Sequence, residues 1–139
     1  MIGQGDEPVG LHVVVAESGL AAALERQLRE WSQGCGITVE VWALPSEDVP
    51  AAIGEAVLAV VREALAGVAS YSGSRVVSVA VTAGEADLRL TICDHGRGLT
   101  APGAEARMRS AFAEVGGVLS VNGAPGEGTT VTGVVPLPA

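Results

Sequence analysis

The stretch Leu88-Arg89-Leu90-Thr91-Ile92-Cys93-Asp94-His95-Gly96-Arg97-Gly98-Leu99 constrains this chain more than any other. Leu88, Leu90 and Ile92 alternate with Arg89, Thr91 and Cys93, the period of a half-buried strand. The same alternation puts Asp94 on the apolar face, where a carboxylate is costly unless hydrogen bonds reach it. The Gly-x-Gly that follows lets backbone approach another group closely and adopt positive φ. Two readings follow: an acidic group aimed into a pocket that takes a nucleotide base, or a turn whose Asp bonds its own backbone.

The rest of the composition narrows the field. A chain of 139 residues is long enough for one domain with a real core. With 48% apolar residues but only 3% aromatics, that core must be filled by Val, Leu and Ala. A net charge of −8, with scattered arginines as the basic residues, argues against a nucleic-acid surface. No apolar run approaches the ~20 residues needed to span a bilayer, and the first residues lack the pattern of a signal peptide. Cys35 and Cys93 have no metal-type spacing. They are expected to be reduced thiols of a cytoplasmic protein, with Cys93 in or near the core.

Along the chain, residues 1–10 read as a flexible tail and 11–139 as a single domain. Leu11-His12-Val13-Val14-Val15 is a short β-type run. Ser18 offers an N-cap for a helix near 18–32, with Leu20, Leu24, Leu28 and Trp31 on one face. Ile37 to Trp42 alternates as a strand. A long helix is expected near 50–71, with Ile53, Val57, Val60, Val61, Ala64, Leu65 and Val68 in one apolar stripe. Glu63, Gly67 and Tyr71 lie along an edge of that stripe. Strands over 76–81, 88–93, 118–121 and 129–135, and a helix over 104–115, complete the pattern. The irregular alternation, with two late hairpins, predicts an α/β sandwich in which three helices cover one face of a mixed sheet.

Three motifs in order then resemble one family. Arg62-Glu63-Ala64-Leu65-Ala66-Gly67-Val68 is similar to an N-box helix. Asp94-His95-Gly96-Arg97-Gly98-Leu99 is similar to a first glycine box. Pro125-Gly126-Glu127-Gly128-Thr129-Thr130-Val131 is similar to a last glycine box. Together they resemble the ATP-binding domain of sensor histidine kinases, a Bergerat-type fold shared with gyrase. The wording is most similar to the nitrate-sensor and desaturase-regulator type. The resemblance implies ATP held between the sheet and a lid. Asp94 would accept a hydrogen bond from the adenine amino group. Gly96 and Gly98 would let the chain pass close to the nucleotide. The backbone around Gly126 and Gly128, with Thr129 and Thr130, would lie at the pocket rim. Glu63 would be the catalytic N-box glutamate beside the phosphates.

The chain also departs from that family. Gly67 stands where the N-box has the asparagine whose oxygen binds Mg²⁺, so the cofactor expectation is ATP, with Mg²⁺ in doubt and no metal ligand assigned. The segment Ala104-Glu105-Ala106-Arg107-Met108 stands in the place of the lid motif, without its phosphate-binding glycine. Arg107 and Arg109 read as a solvated helix face or as phosphate contacts. His12 faintly echoes a phosphoacceptor, but Val13 replaces the acidic neighbour and too few residues separate it from Glu63 for a helical hairpin. His95 reads as an exposed loop residue, and Trp31 and Trp42 as core or interface packing.

The expected function is an ATP-binding catalytic domain that supplies the γ-phosphoryl group to a His on a separate domain. The alternative is a catalytically inactive relative acting through protein–protein contacts. A stand-alone anti-sigma-factor kinase is a third reading, disfavoured because those proteins keep the N-box asparagine. The expected partners are an adenine nucleotide and a histidine-kinase dimerisation domain or response regulator, with no nucleic acid and no membrane contact.

Overall fold

A computed structural model describes residues 19–98 and 101–138. The expected strand over 11–15, His12, the Ser18 cap and Leu99 lie outside the described residues. Helix α1 (Gly19–Cys35) is followed by strand β1 (Thr38–Ala43) and helix α2 (Ala51–Gly67). The chain leaves α2 through a wider π-type turn, Val68–Ser72. Strands β2 (Val76–Ala83) and β3 (Asp87–Asp94) form a hairpin. Helix α3 (Ala104–Ala113), β4 (Val118–Ala124) and β5 (Gly128–Pro136) complete the order.

The five strands make one sheet in the order β1-β2-β3-β5-β4. The β1–β2 pair is parallel and the remaining pairs are antiparallel, so the sheet is mixed, as the alternation predicted. The apolar stripes decide which face the helices cover. Leu20, Leu24 and Leu28 of α1 are buried, as are Ile53, Val57, Val60, Val61 and Leu65 of α2 and Met108 and Phe112 of α3. They meet Val77, Val79, Val81, Leu88, Leu90, Ile92, Val131 and Val135 on the sheet, in one core. The opposite face carries Ser78, Thr91, Ser120 and Thr132, and the last two share a hydrogen bond of 3.0 Å.

Three details differ from the sequence expectation. The helix expected to run to residue 71 changes to the π-type turn at Val68 and ends on Gly73, which takes the left-handed conformation at φ 75°. The wider turn redirects Ser72 toward the end of β3. Trp42 is 73% exposed on the edge strand, so it is no core residue, whereas Trp31 packs partly against the core. Cys93 is half-buried, and as the neighbour of Ile92 and Asp94 on β3 it faces away from the helices. Both cysteines are free thiols.

Helix α3 is seated by its aromatic ring. Phe112 is fully buried, and a Cβ on Gly133 of β5 would overlap it. Gly133→Ala should therefore destabilise by about 1–3 kcal/mol, the cost of overpacking a filled core. Thermal unfolding followed by circular dichroism checks this, and an unchanged midpoint would show that α3 docks otherwise.

Candidate functional site

Alternation along β3 brings Asp94 to the helix-covered face, where it is only 6% exposed. Its cross-strand partner on β5 is Thr129, also 6% exposed. The two polar side chains form the floor of an otherwise apolar pocket. Ile92 and Val131 extend that floor, Ala64, Gly67 and Val68 of the α2 region form one wall, and Ala101, Ala104 and Met108 form the other, with Glu63 in the lining. The pocket thus lies between the sheet, the N-box helix and the segment expected to be the lid.

A buried carboxylate needs donors, and here they come from close by in space. Ser72 Oγ donates to Asp94 Oδ1 at 2.9 Å, and the Gly96 amide donates to the same oxygen at 2.8 Å. Oδ2 receives no hydrogen bond from the described residues. Thr129 Oγ1 is buried and has no partner among the described residues. One carboxylate oxygen is therefore fixed by the protein, and beside it lie an acceptor and a hydroxyl left for something else. Unpaired buried polar groups are rare in folded proteins and call for an explanation. An acceptor and a hydroxyl side by side between apolar walls are the kind of groups that the polar edge of a flat ligand can satisfy.

The glycines hold this arrangement by letting chain segments touch. A Cβ on Gly96 would overlap Ser72, and one on Gly98, at φ 80°, would overlap the Ala124 carbonyl. Gly128, at φ 88°, packs against the Asp94 carbonyl in the same way. The Gly126 amide donates to the Arg97 carbonyl at 3.1 Å, tying the two glycine boxes together. None of these four glycines lines the pocket. The close approaches they permit are to neighbouring protein segments, where the resemblance implied an approach to nucleotide. Thr129 sits in the floor and not at the rim. Thr130 is on the opposite face of the sheet, where its hydroxyl points to Cys93 Sγ at 3.6 Å, so its side chain has no part in the pocket. Strand alternation decides both placements.

Glu63 reaches the pocket as its position on the stripe suggested, but it is not free. Arg107 Nε on α3 lies 3.0 Å from Glu63 Oε2. Arg109 is turned elsewhere, to Glu105 at 2.7 Å and to the Leu119 carbonyl at 3.2 Å. His95 is exposed, and its amide donates to Ser74 Oγ at 3.2 Å. Sequence reasoning missed two things. It left Ser72 and Ser74 out of the site, although they stand just before β2, whose Val77 pairs with Asp94 across the hairpin. It also missed the Glu63–Arg107 pair, which joins residues distant in the chain.

The donor set does not fit a divalent cation. Gly67 has no side chain, and a Cβ there would meet nothing within 4 Å. Glu63 already has a cationic partner. Among the described residues there is no group of three or more His, Cys, Asp and Glu able to hold a metal. Mg²⁺ demands near-octahedral oxygen coordination, and one paired carboxylate does not supply it without oxygens from elsewhere.

Comparison with known proteins agrees with this geometry. No family model matches the chain. It is 27% identical over 131 residues to the sensor histidine kinase LiaS of Bacillus subtilis (strain 168), an alignment covering 90% of this chain and 36% of LiaS. Among solved structures, the histidine kinase domain of the Erythrobacter litoralis EL346 blue-light activated histidine kinase superposes with a TM-score of 0.73 at 27% identity. That match covers 85% of this chain and 61% of the other. This is the fold of a sensor histidine kinase catalytic domain. The Acinetobacter baumannii histidine kinase AdeS shares the fold alone, with a TM-score of 0.62 at 12% identity over 87% of this chain and 64% of AdeS. The chain spans about a third of the length of LiaS, so the histidine-kinase likeness concerns the catalytic domain and not the whole relative. No helix among the described residues is long and apolar enough to cross a membrane.

Two substitutions separate the supports of this pocket. Ser72→Ala removes a donor from a buried carboxylate and should cost about 1–3 kcal/mol. Gly67→Asn enters open space on a helix and should be neutral or stabilising by about 0.3 kcal/mol. Chemical denaturation of both variants checks the pair of expectations, and the reverse order of stabilities would refute this account of the pocket.

Proposed function

We propose that this domain binds an adenine nucleotide in the Asp94–Thr129 pocket. The observation that carries the reading is the division of labour on Asp94: Oδ1 is engaged by Ser72 and Gly96, while Oδ2 takes nothing from the described residues. An ionised carboxylate only accepts hydrogen bonds, which suits an exocyclic amino group. Thr129 Oγ1, buried without a partner beside it, supplies a second contact to the base edge. The histidine-kinase fold supports ATP or ADP as the nucleotide.

The phosphoryl-transfer reading is weaker at the other end of the pocket. Phosphoryl transfer rests on positioning and charge neutralisation. Gly67 offers no metal ligand, and Glu63 is paired with the cationic Arg107. These observations favour the alternative reading: a nucleotide-binding domain of the histidine-kinase type that acts on a partner through contact and donates no γ-phosphoryl group. The partner in this reading is a histidine-kinase dimerisation domain or a response regulator, and the compartment is the cytoplasm.

Asp94→Asn tests the base site directly. The amide oxygen can keep the bonds from Ser72 and Gly96, so the fold should survive. The amide nitrogen would then replace the free oxygen and turn a donor toward the donor on the base. Loss of that one polar match should weaken adenosine and ADP binding about tenfold or more. Titration calorimetry reads the effect, with circular dichroism as the control for folding. Equal binding by both proteins would mean that Asp94 does not read the base.

A further inference from the structure

The histidine-kinase pocket has an adenine-type floor, an unsuitable metal site, and one cation tied to its rim. We infer that Arg107 takes the place of the divalent cation: its guanidinium receives the phosphates of the bound nucleotide directly, and ADP and ATP bind without Mg²⁺. This rests on the adenine-nucleotide reading and extends it to the phosphate end.

The geometry begins with Glu63, which lines the pocket one helical turn before Gly67. Its carboxylate holds Arg107 Nε at 3.0 Å, so the guanidinium lies against a residue of the pocket lining, one helical turn from position 67. The Arg107 backbone is anchored as well, since its amide donates to the Gly103 carbonyl at 3.0 Å. Room for the guanidinium comes from Gly103: a Cβ there would come within 2.9 Å of Arg107 Nη1. Glu63 engages Nε, which leaves the N–H groups of Nη1 and Nη2 for phosphate oxygens. A guanidinium pairs with phosphate through two parallel charge-assisted bonds, stronger than neutral ones.

Charge favours a local cation. The chain carries a net charge of −8, and a nucleotide di- or triphosphate brings further negative charge to it. Arg109 is directed to Glu105 and Leu119 and does not serve this mouth. The Glu63–Arg107 pair is half-exposed, at 54% for Arg107 and 31% for Glu63, and pairs of that kind hold weakly. Phosphate can therefore share the guanidinium with Glu63 or displace it at little cost. The pair also joins α2 to α3, so the same side chain that meets the phosphates links the two walls of the pocket.

Titration of adenosine, ADP and ATP, in excess chelator and in millimolar Mg²⁺, tests this. Wild type should bind ATP equally within about twofold in the two conditions. Arg107→Ala should weaken ADP and ATP about tenfold or more while leaving adenosine within about twofold. Arg107→Lys, which keeps the charge, should fall between. Glu63→Gln should bind ATP as tightly as wild type or more tightly, because the guanidinium loses its competitor. A strengthening of wild-type ATP binding by Mg²⁺ of tenfold or more would overturn the inference, as would ATP binding unchanged in Arg107→Ala. So would an equal loss of adenosine and ATP in Arg107→Ala, which would make the residue a clasp for the pocket and not a phosphate ligand. Adenosine binding that depends on Asp94 but shows any of these results would sink the inference alone. Absence of adenosine, ADP and ATP binding in wild type would sink the nucleotide reading itself.

Discussion

The Asp94 carboxylate, buried at the end of β3, sets the demands that the surrounding chain meets. A charge in that position needs donors, and Ser72 and Gly96 supply them. Ser72 can reach Asp94 because the chain leaves α2 through a π-type turn in place of a regular helical end. Gly96 can pass beneath Ser72 because it has no side chain. The Arg97 amide then donates to the Ser72 carbonyl at 2.7 Å, closing the contact between the loop after β3 and the end of the helix. One buried carboxylate thus brings together a glycine two residues on and a serine at a helix end 22 residues back.

The same residue organises the sheet side. Asp94 and Thr129 are partners across β3 and β5, so their side chains rise on the same face. Next to them, Gly128 admits the Asp94 carbonyl at a point where no Cβ would fit. The last glycine box is therefore a packing device as much as a turn. Its Gly126 amide bonds to Arg97 in the first box, which makes the two loops one unit around the pocket floor. The glycines resemble family motifs because the backbone must cross itself closely here, whatever ligand is bound.

Much of this was legible in the sequence because it is written in short periods. The stripes of α1, α2 and α3 and the alternation of β3 and β5 placed the elements and turned Asp94 toward the helices. Thr129 and Thr130 were both grouped with the pocket, and strand parity separates them: adjacent residues cannot share a face. Other features are set by partners distant in the chain. The pairing of Glu63 with Arg107 joins α2 to α3, and no local pattern at either residue announces it. The helix ends close to where its spacing predicted, but the π form of its last turn was not legible. Helical spacing continues past Gly67, and the turn that follows carries Ser72 to Asp94, a partner distant in the chain.

The two ends of the pocket are built from different parts of the fold, which explains how one could change without the other. The floor belongs to β3 and β5, in the middle of the sheet, where Asp94 and Thr129 are held by strand pairing on both sides. Substitution there disturbs the core as well as the site. The mouth belongs to one edge of α2 and to the start of α3. Gly67 faces open space, and Arg107 is half-exposed, so replacements at these positions cost the fold little. The polar floor is thus tied to the core, whereas the side chains at the mouth can vary with little effect on the fold. In this chain position 67 carries no side chain, and the Arg107 guanidinium lies against Glu63 in a domain of net charge −8.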